Sequence, residues 1–197
     1  MLGIFLDTET NGLSPFKHKV IEIAFKIMDL ETAAIKASYE SILFQTYDEW
    51  QNSDIESLQI NGFNWEDVSY GKKREDVSLE IQESFLKAGI ERKNAVFICQ
   101  NPSFDRAFFA QCVDTELQEK KRWPYHWLDL ASMYWAVALQ QKKVDSSTPY
   151  PWDTGISKDS IATHYKIAAE KKPHRAMNGV DHLISCYRAV IGFPLSN

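Results

Sequence analysis

The sequence predicts one α/β domain over residues 1–197, built on a mixed central sheet in which three antiparallel strands are followed by parallel strands, with helices flanking it. Three observations lead there. A short, evenly apolar run opens the chain at Leu2 to Leu6. Two alternating runs follow it, with Ile21, Ile23, Phe25 and Ile27 set against Glu22, Ala24, Lys26 and Met28 in the first. After Glu49 the apolar spacing changes to threes and fours, and a brief apolar stretch, Ala95 to Cys99, then feeds directly into another helical pattern.

Leu2 to Leu6 is too short for a membrane span and too uniformly apolar for an exposed edge, so it reads as a central strand covered on both faces. Val20 to Asp29 is the second strand. Ile35 to Gln45, beyond the breaker Leu30 to Thr32, is the third. Ile55, Leu58 and Phe63, then Val77, Ile81, Phe85 and Leu86, mark helices. Ala95 to Cys99 is a buried strand and Phe104 to Glu119 a helix, with Asn101 as its N-cap and Pro102 at the first helical position. A short strand at Tyr125 to Trp127 precedes a helix over Leu128 to Gln141. Pro149 and Pro151 make Lys142 to Thr154 a loop, and helices over Lys158 to Ala169 and Val180 to Ile191 complete the chain. No repeat or linker divides it.

With 44% hydrophobic and 13% aromatic residues, the chain can bury a substantial core. A net charge of -5 and a pI near 5.6 argue against a basic surface that coats nucleic acid, though not against a local site. Cys99, Cys112 and Cys186 have no zinc or disulfide spacing and read as reduced, buried thiols of a cytoplasmic protein. No stretch resembles a signal peptide or is long enough to span a bilayer, so no membrane partner is expected.

The first strand ends in Asp7 and Glu9, two residues apart and therefore on one face if the strand continues through Thr8. Two such charges ~4 Å apart repel by roughly 4 kcal/mol at an effective dielectric near ~20, and a divalent cation relieves that. Asn11-Gly12 also allows a plain turn with a solvated Glu9. An EF-hand loop fits only the first half of the spacing, because its twelfth position is His18 and Pro15 intervenes. Asp105 lies on the first turn of its helix, where the macrodipole alone favours an acid. Asp181 near the start of the last helix has a similar structural explanation, and His174 is fixed in a loop by Pro173.

Taken together and in order, Asp7-x-Glu9-Thr10 on a first strand, Asn101-x-x-Phe104-Asp105 on a strand-to-helix turn, and His174-Arg175-Ala176 before Asp181 resemble the DEDDh exonuclease family. This ribonuclease H-like group includes RNase T, oligoribonuclease and polymerase proofreading subunits. The resemblance implies a ribonuclease H-like sheet. It makes Asp7, Glu9, Asp105 and Asp181 the metal-binding carboxylates for two Mg2+ or Mn2+ ions, and His174 the general base. It also places Thr10, Gly12, Leu13, Asn101 and Phe104 along the 3′-terminal nucleotide. Arg175, beside His174 and Lys171-Lys172, is a candidate phosphate contact. Trp152 and Phe16 are candidates for base stacking or loop anchoring.

The implied activity is metal-dependent 3′-5′ hydrolysis of single-stranded DNA or RNA ends to nucleoside 5′-monophosphates. The alternative is an idle nucleic-acid-binding or scaffolding domain of the same fold. The family contains monomers, homodimers and polymerase-associated members, and no segment here indicates a homodimer or a polymerase partner. One spacing departs from the pattern: the family has four residues between the His and the last Asp, whereas six separate His174 from Asp181. A bulge at Asn178-Gly179 would absorb the excess. His182 is the fallback base, roughly 100° around the helix from Asp181. No Tyr stands between His174 and Asp181, which excludes the family's tyrosine version.

Overall fold

The computed structural model describes residues 1–195. Its elements run β1 (Leu2–Thr10), β2 (Val20–Asp29), β3 (Ile35–Ile42), α1 (Tyr47–Gln51), α2 (Ile55–Asn61), α3 (Trp65–Ser69), α4 (Arg74–Lys87), β4 (Ala95–Cys99), α5 (Pro102–Cys112), α6 (Thr115–Lys120), β5 (Trp127–Asp129), α7 (Leu130–Val144), α8 (Pro151–Thr154), α9 (Lys158–His164) and α10 (Ala176–Val190). The sheet order is β3-β2-β1-β4-β5, with β1–β2 and β2–β3 antiparallel and β1–β4 and β4–β5 parallel. This is the mixed sheet, antiparallel strands followed by parallel ones, that the sequence predicts.

Period-two alternation along β1 sends its side chains into two different cores. Ile4 and Leu6 pack with Ile23, Phe25 and Phe97 under α4 and α5. Phe5 packs on the other face with Ala24, Ile98 and the apolar sides of α7, α9 and α10. β1 is buried on both faces and continues four residues beyond the apolar run, so Asp7 and Glu9 lie within the strand and the turn reading of Glu9 falls. Its register with β2 shifts between Glu9 and Thr10, ending regular pairing just past the carboxylates.

Several boundaries differ from expectation for local reasons. The helix expected over Phe104 to Glu119 is two helices, because Val113 is extended and Asp114 caps a new one by accepting the Leu117 N–H at 2.8 Å. β5 lies two residues later than expected. Asp129 caps α7, accepting the Ala131 and Ser132 N–H groups. The loop Lys142 to Thr154 contains the short α8. Helix α9 stops at His164, leaving 165–175 as a loop in which Lys166 has φ +57.

The most consequential difference is α10, which begins at Ala176 rather than Val180. No side chain of its own N-cap residue supports that start. The Ala176 N–H instead donates to Glu22 Oε2 of β2 at 2.7 Å. Asn178 and Gly179 are therefore helical, and the expected bulge does not form.

Glu22→Ala removes that acceptor and leaves a buried N–H unsatisfied. The expected loss is about 1–2 kcal/mol of stability, read as a lower urea midpoint with unchanged m-value.

Candidate active site

The C-terminal ends of the parallel strands β1 and β4 open onto a cavity of about 320 Å³, whose lining includes Asp7, Glu9, Asn101, Asp105, Lys158, Glu170 and His174. A crevice outside the carboxyl ends of adjacent parallel strands is where α/β sheets bind ligands. β1 presents Asp7 and Glu9 on its α10 side and Thr8 on its α5 side. The Thr8 hydroxyl donates to Asp105 Oδ1 at 3.0 Å, drawing the first turn of α5 onto the strand. Asn101 and Phe104 line the mouth. Asn101 does not cap α5 with its side chain; its Oδ1 accepts the Ser103 hydroxyl at 2.6 Å.

Loop 165–175 contributes Glu170 and His174. The Glu170 side chain is only 3% exposed, with one oxygen 2.8 Å from Lys158 Nζ and 3.5 Å from His182 Nδ1, and the other 3.7 Å from His174 Nδ1. Lys158, the first residue of α9, also stands 3.5 Å from Asp7 Oδ1. Its charge is reinforced: burial would discharge it, but Asp7 and Glu170 outweigh that and raise its pKa.

The carboxyls respond in opposite ways. Burial, followed by repulsion from Asp7 and Glu170, pushes Glu9 up to about 8. Burial and Asp7 likewise push Asp105 up to about 8, against the Thr8 hydrogen bond. Asp7 is raised by burial and partly held back by Lys158. Burial would raise Glu170 too, but His182, Lys158 and His174 hold it down at about 2. A site that strains to keep protons on carboxyls facing a cavity is one that a cation would relieve.

The donor set fits such an ion. Ligand atoms of Glu9, Glu170 and His174 all lie within 4.8 Å of one another, and Glu170 Oε1 is buried without a hydrogen-bond partner. Two carboxylates and an imidazole are together ligands for a divalent cation.

The structure gathers Asp7, Glu9, Asp105 and His174, but not Asp181. That side chain is 55% exposed and forms an ion pair with Lys26 on β2. The reason is helical phase. With α10 regular from Ala176, Gly179 faces β1, so that a Cβ there would lie 2.1 Å from Asp7 Oδ2, and Asp181 is rotated roughly 200° away. Gly179 is also five residues after His174, where the family spacing calls for the Asp. His182 is buried against Glu170 inside the protein.

Several expected substrate contacts are occupied elsewhere. Arg175 stacks 4.0 Å over the Phe63 ring and donates to the carbonyls of Asn61 and His174. The Thr10 hydroxyl donates to the Gly12 carbonyl at 2.8 Å. Gly12 is required by its close approach to the His18 ring, 2.4 Å from where a Cβ would sit. Leu13 is exposed, as are Phe16 and Trp152; Trp152 stacks on Tyr150 at 4.4 Å. Sequence reasoning missed Lys158 and Glu170. The one signal was negative: the family spacing puts glycine rather than an acid at 179.

No family sequence model and no curated protein sequence matches the chain. Solved structures do. An E. coli Exonuclease I–ssDNA complex in its zinc-bound form superposes with TM-score 0.72 at 15% identity over 96% of this chain and 40% of that one. Exonuclease I from Methylocaldum szegediense gives 0.74 at 18% identity, over 96% and 40%. The nuclease domain of 3′hExo, a DEDDh family member bound to rAMP, gives 0.69 at 12% identity, over 98% and 94%. The chain thus spans about 40% of the length of the Exonuclease I proteins and nearly all of the 3′hExo domain. Its fold is that of the DEDDh-type exonucleases.

Because folding keeps protons on Glu9 and Asp105 that the unfolded chain releases from about pH 4 upward, stability without divalent ions falls as pH rises toward 8. Calorimetry in chelator should show Tm decreasing by roughly 4 °C or more between about pH 5 and 8, with Mg2+ or Mn2+ restoring it at the upper end. A flat profile in chelator would contradict the assignment of these buried carboxyls.

Proposed function

We propose that the protein is a metal-dependent 3′-5′ exonuclease acting on single-stranded DNA or RNA ends and releasing nucleoside 5′-monophosphates. The observation that carries this reading is the convergence of Asp7, Glu9, Asp105, Glu170 and His174 on one cavity at the end of β1. The Exonuclease I structures with bound single strands support the substrate class.

Glu9 and Glu170 would hold divalent cation next to Asp7, with Asp105 fixed by Thr8 to complete or orient the ligand shell. Bound there, the cation supplies Lewis-acid charge to the scissile phosphate and to the departing oxygen. His174, on the cavity wall beside Glu9 and Glu170, accepts the proton of the attacking water as general base. Its backbone N–H donates to the Ile60 carbonyl at 3.2 Å, which fixes the loop that presents the ring. Asn101 and Phe104, on the cavity wall, are placed to meet the terminal nucleotide.

No helix among the described residues is long and apolar enough to cross a membrane. The three free, buried cysteines support a reducing, cytoplasmic compartment. The second reading, an idle nucleic-acid-binding domain, is favoured by Gly179 in place of a carboxylate and by Lys158 inside the cluster. Release of mononucleotides from 3′-labelled DNA and RNA oligonucleotides in Mg2+ or Mn2+ decides between the two: product means an enzyme, and binding without product means the idle domain.

In that assay Asp7→Ala should abolish release while the far-UV circular dichroism stays native, because the change removes charge from a crowded site. Full turnover would remove Asp7 from the mechanism. His174→Ala should retain oligonucleotide binding and lose roughly 10² to 10⁴ in rate; an unchanged rate would move the base elsewhere.

A further inference from the structure

The cluster already holds a cation of its own. Lys158 Nζ lies 2.8 Å from Glu170 Oε2, 3.5 Å from Asp7 Oδ1 and 3.4 Å from the Gly179 carbonyl, and the side chain is 14% exposed. Three oxygens from three separate elements cradle one ammonium. The cradle exists because position 179 is glycine. Any side chain there would be driven into Asp7, 2.1 Å from its Oδ2 at the Cβ alone.

On the other side of Glu170, Oε1 is buried and without a hydrogen-bond partner. His174 Nδ1 stands 3.7 Å from that oxygen, and ligand atoms of Glu170, Glu9 and His174 lie within 4.8 Å of one another. Charge arithmetic separates the two places. Asp7, Glu9, Asp105 and Glu170 ionised against Lys158 leave three negative charges. One divalent ion reduces this to a single negative charge, whereas two would leave a buried positive excess.

We propose that the site takes a single divalent cation, seated at Glu9 and Glu170 beside His174, and that the Lys158 ammonium stands permanently where a second cation would otherwise neutralise Asp7. This deepens the nuclease reading and takes its divalent-ion requirement from it. Glu170 then does what the motif order assigned to Asp181, from a loop rather than from α10.

The test is Mn2+ titration of the full chain by calorimetry, with electron paramagnetic resonance to detect spin exchange between neighbouring ions. The expected result is one Mn2+ per chain with no exchange signal. Glu170→Gln should weaken Mn2+ binding roughly tenfold or more, and Asp181→Asn should leave it unchanged. Lys158→Met should admit a second ion and produce the exchange signal.

Two ions in the unaltered protein, or none, would overturn the proposal. So would unchanged Mn2+ affinity in a folded Glu170→Gln, weakened binding in Asp181→Asn, or a single ion in Lys158→Met. Should Glu170→Gln fail to fold, the other stoichiometries still decide. The outcomes separate from those of the nuclease reading: hydrolysis with two coupled ions keeps the nuclease and sinks the fixed cation. The expected titrations without mononucleotide release keep the fixed cation and sink the nuclease.

Discussion

Burying several carboxylates at the end of one strand is unfavourable, and the contact that makes it tolerable is the ammonium of Lys158 between Glu170 and Asp7. Lys158 or Glu170 would be costly to bury without the other. The same contact is also topological. It joins the first residue of α9, the loop before α10 and Asp7 of β1, three segments that share no backbone pairing. The cavity keeps its shape because opposite charges hold those segments at a fixed separation, while Thr8 does the same for α5 through Asp105.

Much of this frame is legible in the sequence because it follows from periodicity. The alternation of Ile21 to Ile27 marks β2 and its buried face. The apolar run at Leu2 to Leu6 marks β1, and Pro102 marks the start of α5, so periodicity sets Asp7 and Glu9 on one face and Asp105 on a strand-to-helix turn, and the motif resemblance brings them together. What is not legible is whatever depends on distant partners. The start of α10 is fixed by Glu22, 154 residues away, and no residue near Ala176 signals it. Lys158 reads as an ordinary charge at a helix start and Glu170 as one acid in a charged stretch. Only the fold shows that they meet. Asp181 matches the motif order while missing its spacing, and in a helix two residues of spacing reverse the face.

Some residues that a motif marks for substrate hold up the site instead. Arg175 caps the Asn61 carbonyl and covers Phe63, so its guanidinium ties the His174 carbonyl to the end of α2. Asn61 in turn donates to the Thr10 carbonyl at 3.0 Å, tying the end of α2 to the end of β1. Through these links the position of the His174 ring is set by the α2 region as well as by its own loop. A likeness at 12–18% identity that preserves the sheet and its helices fits this division, since burial patterns fix the frame.

Glycine at 179 links the frame to the chemistry. A helix can approach β1 this closely only where it has no side chain, and that approach brings a backbone carbonyl, rather than a carboxylate, to the edge of the cluster. A carbonyl can hold an ammonium but adds no formal negative charge, so the approach of α10 both admits Lys158 and removes the charge that would have called for another ion. The missing acid at 179, the lysine at 158 and the acid at 170 are therefore one coupled arrangement. Removing Lys158 or Glu170 alone, or placing an acid at 179, unbalances the buried charge.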